Sequence, residues 1–184
     1  MQLTYPFEPS IVCADFKQQP SDFVVTEQLD IPFSEQGEHL WVYVSKTNLN
    51  TSFIASLLEK WADIPLRDVG YSGLKDRHAI TYQWFSLRLP KQQPPTNNFH
   101  QFTKSMLQPH EQATILKHIW HHKKLGRGIH KSNHFRITLT NITGDTAKIN
   151  AQLELIKSMG VPNYFGTQRF GVDGNNITQA YRFF

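Results

Sequence analysis

Apolar and polar positions mark out the elements of this chain. Phe23, Val25 and Glu27 alternate with Asp22, Val24 and Thr26, a period of two that predicts a short strand. A Gly-Glu turn at 37–38 leads into Leu40-Trp41-Val42-Tyr43-Val44, a β-rich run that predicts the next strand. Thr51 or Ser52 can cap a helix whose Phe53, Ile54, Leu57, Leu58 and Trp61 share one face, with Pro65 at or beyond its end. Residues 70–78 form a polar, glycine-bounded loop. Ile80 to Leu89 then predicts a strand, with Tyr82 and Trp84 on one side and Phe85 and Leu87 on the other. Pro90 to Asn98 reads as a surface loop.

Residues 113–122 fit two patterns, because Ile115 and Ile119 have helical spacing while the surrounding alternation fits a strand. Phe135 to Thr140 predicts a strand. Asp145 or Thr146 caps a helix carrying Ile149, Leu153, Ile156 and Met159, which Gly160 stops. A further helix starts at Asn176 and covers Thr178 to Arg182. Strands and helices are intermixed, which predicts the α+β class.

With 184 residues the chain is long enough for one domain with a real core, and 13 Phe, 6 Tyr and 4 Trp are not the composition of a disordered chain. The formal net charge of +4 suits a polyanionic partner without proving one. The single cysteine, Cys13, excludes an internal disulfide or a cysteine-rich zinc site. There is no signal-peptide pattern at the N-terminus and no apolar run of membrane-spanning length, so a soluble, cytoplasmic protein without a membrane partner is expected. Walker A, Rossmann and HExxH patterns are missing. His118, His121, His122, His130 and His134 lack regular ligand spacing and stand among lysines, so neither a metal nor a nucleotide cofactor is expected.

Three segments can carry chemistry. In Gly73-Leu74-Lys75-Asp76-Arg77-His78 a carboxylate stands between two cations on a glycine-hinged loop. Positive neighbours favour the ionised form, and an ionised Asp76 can serve as nucleophile or general base. The same hexapeptide also fits a surface turn closed by a salt bridge. In Lys131-Ser132-Asn133-His134-Phe135, Asn133 can read a base edge and Phe135 can stack on an extruded base, or the pair can be a turn residue and a core residue. Basic residues 123–131, punctuated by Gly126 and Gly128, can grip phosphates or be a solvated loop. Pro162 to Gly171 combines aromatics, glycines, amides and Arg169, a side chain suited to a phosphate or carboxylate.

Taken in order, these blocks resemble the TruD family of tRNA pseudouridine synthases. Gly73 to Ala79, followed by Thr81 and Gln83-Trp84, is similar to that family's catalytic motif. Gly160 to Gly166 with Gln168 to Gly171 is similar to its second signature. Lys17, Pro20 and Asp22 to Glu27 are similar to its N-terminal block, and Asn133-His134-Phe135 to its Asn-x-Phe element. Ser132 departs from the glycine that often precedes that asparagine.

The resemblance implies a pseudouridine synthase-like catalytic domain with a mixed, largely antiparallel sheet. It implies isomerisation of a uridine in tRNA, at position 13, to pseudouridine without cofactor or metal. Asp76 would be the nucleophile; Phe23, Asn133, Phe135, Lys17 and Arg169 would bind substrate. Family members are about twice as long as this chain. The expectation is therefore an N-terminal portion, with residues 1–159 in the catalytic domain and 160–184 opening an inserted domain, and with an incomplete sheet that invites self-association. The alternative from another class is a non-catalytic RNA-binding module or an inactive fragment.

Overall fold

A computed structural model describes residues 8–162 and 175–183. In chain order the elements are β1 (Ile11–Phe16), β2 (Phe23–Gln28), β3 (His39–Thr47), α1 (Thr51–Ala62), β4 (Val69–Tyr71), β5 (Ile80–Arg88), α2 (Phe99–Thr103), β6 (Gln112–His121), β7 (Ser132–Ile137), β8 (Leu139–Gly144), α3 (Thr146–Met159) and α4 (Asn175–Phe183). They group into two compact units: Asp15–Thr140, and the residues before and after it.

The larger unit is built on one sheet in the order β6-β3-β5-β2-β7, with β4 added beside β5. The β2–β5 pair is parallel and the other pairings of this sheet are antiparallel, which is the α+β class that the residue pattern predicts and the mixed, largely antiparallel sheet that the resemblance implies. β5 changes partner along one edge. Residues 80–82 pair with β2, whereas residues 85–87 pair with β4.

Alternation divides the sheet into two faces. Leu40, Val42 and Val44 of β3 join Phe85 and Leu87 of β5 under α1 and α2, in a core with Ile54, Leu57, Leu58 and Phe99. Trp41, Trp84 and Leu125 pack on the other face with Phe33 and Tyr43. On the helix-covered face the rows turn polar toward one end. Val44 stands opposite Gln83 and Lys46 opposite Thr81, all buried.

One open reading is resolved and others are corrected. The segment read both ways is strand, over Gln112–His121, and the register of β6 against β3 shifts between Tyr43 and Val44, skipping Leu116. That bulge lets Ile115 pack with the helix-side core and Ile119 with the tryptophan side, so their helical spacing does not place them on one face. The N-cap of α1 is Asn50, with Thr51 as its first helical residue, because the Thr51 hydroxyl is engaged elsewhere. Phe53 lies outside the buried stripe and is exposed. The strand expected over 135–140 is two strands, broken at Thr138, whose N–H donates to the Asp22 carbonyl.

In the smaller unit, Asp145 caps α3 by accepting from the N–H groups of Ala147 and Lys148, and Gly160 ends that helix with a φ of 74°. The Gln152 side chain meets Ser10 and the Glu8 carbonyl. Gly144, at φ 150°, lies so close to Ser10 that an added Cβ would be 2.5 Å from its carbonyl oxygen.

Ile54 and Leu58 are the fully buried anchors of α1. Leu58→Ala is expected to lower the unfolding free energy by about 3 kcal/mol in urea titrations, whereas Phe53→Ala should cost under about 1 kcal/mol.

Candidate active site

Asp76 stands on the loop of residues 72–79, between β4 and β5, and this loop is fastened almost residue by residue. The Ser72 carbonyl accepts from Gly128 N–H. The Gly73 carbonyl accepts from the Gln83 side chain at 3.2 Å. Lys75 N–H donates to the Thr51 hydroxyl at 2.9 Å, and that hydroxyl donates to Gln83 at 2.8 Å. The Asp76 carbonyl accepts from Lys46 Nζ at 2.8 Å, and Ala79 N–H closes onto the Arg77 carbonyl.

Glu27 does most to hold this arrangement. Its carboxylate is wholly buried, with Oε2 2.8 Å from Lys75 Nζ. Its Oε1 accepts from the backbone N–H of Trp84 at 3.1 Å. Trp84 lies where β5 has left β2 and not yet met β4, so the carboxylate serves a donor that no strand reaches.

The cations flanking Asp76 in sequence are not its partners. Lys75 turns inward to Glu27. Arg77 turns outward, to Glu111 at 3.6 Å and the Asn48 carbonyl at 3.3 Å. The cation that meets the Asp76 carboxylate is Lys17, with Nζ 3.3 Å from Oδ1. Asp76 is partly exposed, at 38% of its side-chain surface.

Lys17 has a φ of 55°, in the left-handed region, and turns the chain sharply after β1. Its ammonium lies 3.6 Å from the centre of the Phe23 ring, a cation–π contact. Phe23 is buried and packs edge-on against Phe16 at 5.7 Å, and tilted against Phe135 at 5.9 Å. Phe135 keeps 51% of its surface exposed. Antiparallel pairing places Phe135 opposite Val25 and Asn133 opposite Glu27, so both project on the face of Phe23 and Glu27. The Asn133 Oδ1 is buried without a hydrogen-bond partner among the described residues. Asp76, Lys17, Phe23 and Phe135 are thus linked by direct contacts, with Asn133 one strand position from the Glu27–Lys75 pair. Arg169, with residues 163–171 of its block, lies outside the described residues.

Sequence reasoning did not single out Glu27, Thr51, Gln83 or Lys46 as site residues. Lys46 is fully buried and donates to two carbonyls, of Leu49 at 2.6 Å and of Asp76 at 2.8 Å. Burial pushes its pKa down to about 8; the Asp76 charge opposes that shift and Lys75 adds to it. The resulting centre offers a half-exposed carboxylate on a rigid loop, a cation against it, an accessible aromatic ring and an unsatisfied amide oxygen. Such a set can attack an electrophilic carbon while holding a planar base.

Two consequences can be measured on the folded chain. Glu27→Gln leaves the Lys75 ammonium buried without a counter-charge and should cost about 3–5 kcal/mol by chemical denaturation. Glu27→Gln/Lys75→Met should cost less than the sum of the single changes. Between pH 8 and 10.5 the unfolded chain keeps the Lys46 proton that the folded chain releases, so this residue makes stability rise with pH across that window. Lys46→Met should lack that rise and lose about 1–3 kcal/mol at neutral pH, because two carbonyls lose their donor.

The family model described as tRNA pseudouridine synthase D (TruD) matches residues 4–178. A curated tRNA pseudouridine synthase D of Psychrobacter arcticus is 44% identical, the alignment covering 100% of this chain and 49% of that protein. One of Pseudomonas fluorescens is 47% identical over 91% of this chain and 45% of its own length. A crystal structure described as tRNA pseudouridine synthase D from Methanosarcina mazei superposes with a TM-score of 0.70 at 25% identity, covering 92% of this chain and 38% of that one. The chain spans about half the length of the curated relatives it matches. By sequence match and by fold, it belongs to the tRNA pseudouridine synthase D (TruD) family.

Proposed function

We propose that this chain carries the catalytic centre for converting a uridine of tRNA to pseudouridine, with Asp76 as the nucleophile. The observation that carries the reading is the Asp76 carboxylate itself, partly exposed and held by Lys17 on a loop fastened at Gly73, Lys75 and Asp76 by backbone hydrogen bonds to buried side chains.

The reaction is an isomerisation. The bond from N1 of uracil to C1′ of the ribose breaks, C5 bonds to C1′, the proton on C5 is lost and N1 gains one. A carboxylate oxygen of Asp76 opens the sequence by attacking C1′ of the sugar or C6 of the base. The base must leave its stack to reach Asp76, at a cost of a few kcal/mol. Phe135 offers an exposed ring on which the extruded uracil stacks, an interaction of about 1–3 kcal/mol, and Phe23 supports that ring from below. The unpartnered Asn133 Oδ1 accepts from N3–H of uracil, a donor that cytosine lacks. Lys17 holds the carboxylate in place and adds positive charge where the substrate's phosphate arrives. Arg169 is read as a further phosphate contact.

The test is pseudouridine formation on an unmodified tRNA transcript. The parent chain should give product, Asp76→Ala none, and Lys17→Met about ten- to a hundredfold less than the parent. Equal tRNA binding by parent and Asp76→Ala, with product from neither, would sink the catalytic reading for this chain and leave a non-catalytic RNA-binding module or an inactive fragment.

A further inference from the structure

Beside the Asp76 loop is a concavity whose chemistry differs from that of the Asp76 centre. It has a volume of about 480 Å³ and lies between α1, β4 and the segment leading out of β6. Ser52 and Ser56, one helical turn apart, supply hydroxyls on the α1 side. Arg67, Lys124 and Arg127 supply three positive charges, and no carboxylate lines the cleft.

Several other cations on the same unit meet counter-charges among the described residues. Lys131 pairs with Asp30, Arg88 with Glu38, Arg77 with Glu111 and Lys75 with Glu27. None of Arg67, Lys124 and Arg127 forms an ion pair among the described residues. Instead Lys124 Nζ donates to the Arg67 carbonyl, which brings the two segments together. The Arg127 guanidinium lies 4.0 Å from the centre of the Tyr71 ring. Stacking on Tyr71 orders this cation without neutralising it.

The walls are also firmly set. An added Cβ at Gly70 would lie 2.4 Å from the Leu125 carbonyl oxygen, so only glycine lets the two backbones meet there. Leu125 N–H donates to the buried Ser86 hydroxyl at 2.9 Å, which holds the 124–127 segment against β5. Three like charges gathered on a fixed frame repel one another and hold a standing attraction for a polyanion.

The cleft adjoins the reactive loop at two points. Ser52 follows Thr51, whose hydroxyl accepts from Lys75 N–H, and Tyr71 precedes Ser72, the first residue of the loop. We infer that the cleft formed by Ser52, Ser56, Arg67, Tyr71, Lys124 and Arg127 binds the sugar-phosphate backbone of the RNA substrate, at nucleotides flanking the one presented to Asp76. This rests on the RNA-modifying reading above. Phosphate oxygens meet the guanidinium groups, the ammonium and the two serine hydroxyls, contacts that set position without reading bases.

The experiment compares tRNA binding by the parent with two triple variants across a salt series. Arg67→Gln/Lys124→Gln/Arg127→Gln removes the three charges of the cleft. Lys60→Gln/Lys91→Gln/Lys104→Gln removes three exposed charges that do not line it, and so matches the change in net charge. All six side chains are exposed, so thermal unfolding of both variants should follow that of the parent.

The cleft variant should bind at least about tenfold more weakly, and its plot of log affinity against log salt should be shallower by about two units, as for lost phosphate contacts. The control variant should keep its affinity within about twofold. Equal losses in both variants would overturn the inference, because attraction would then follow net charge and not this cleft. Unchanged binding by the cleft variant would overturn it while leaving the reading of Asp76 intact. A parent chain with no affinity for tRNA would overturn both.

Discussion

The buried Glu27 carboxylate is the contact on which the rest of the centre depends. One oxygen takes the Trp84 N–H that the change of strand partner leaves over, and the other takes the Lys75 ammonium. Glu27 thereby joins sheet and loop, beside the bonds that Lys46 and Gln83 send to the same loop. A buried charge of this kind is costly to place and is tolerated only with its partners in position. Here each partner is a structural necessity of another kind, one a strand donor and the other a residue of the reactive loop. Glu27 therefore couples the integrity of the sheet to the placement of Asp76.

From that coupling follows a division of labour along one face of the sheet. Under α1 the rows are apolar and stabilise the unit by burial. Toward the loop the same rows become Lys46, Thr81, Gln83 and Glu27, and the side chains of Lys46, Gln83 and Glu27 hydrogen-bond to the loop. The apolar part holds the polar part still, and the polar part fixes the backbone under Asp76. The orientation of the Asp76 carboxylate is thus built into the fold.

The strands with plain alternation were legible from sequence, as was the helix capped by Asp145, since each depends on local spacing. β6 was not, because its bulge at Leu116 breaks the period and places Ile115 and Ile119 on opposite faces. Asp76 stood out as a carboxylate on a glycine-hinged loop, but its electrostatic partner could not be read locally. Lys75 and Arg77 seek Glu27 and Glu111, and the cation that reaches Asp76 comes from the turn after β1. Lys46 gave no signal, because a lysine near a strand end reads as a solvated residue until the loop is seen folded over it.

The contacts of the centre also share a large separation along the chain. Lys17 and Asp76 are 59 residues apart, and Glu27 and Lys75 are 48 apart. Because β2 and β5 run parallel, the chain must lay down β3, α1 and β4 before these pairs can meet. No hairpin or single helix can hold a partial version of the site. Its assembly belongs to the late, non-local stage of folding, when the loop-closure entropy has already been lost. A newly made chain therefore has no assembled centre until its sheet has closed, and a partly folded one presents Asp76 to solvent without the lysine that holds it.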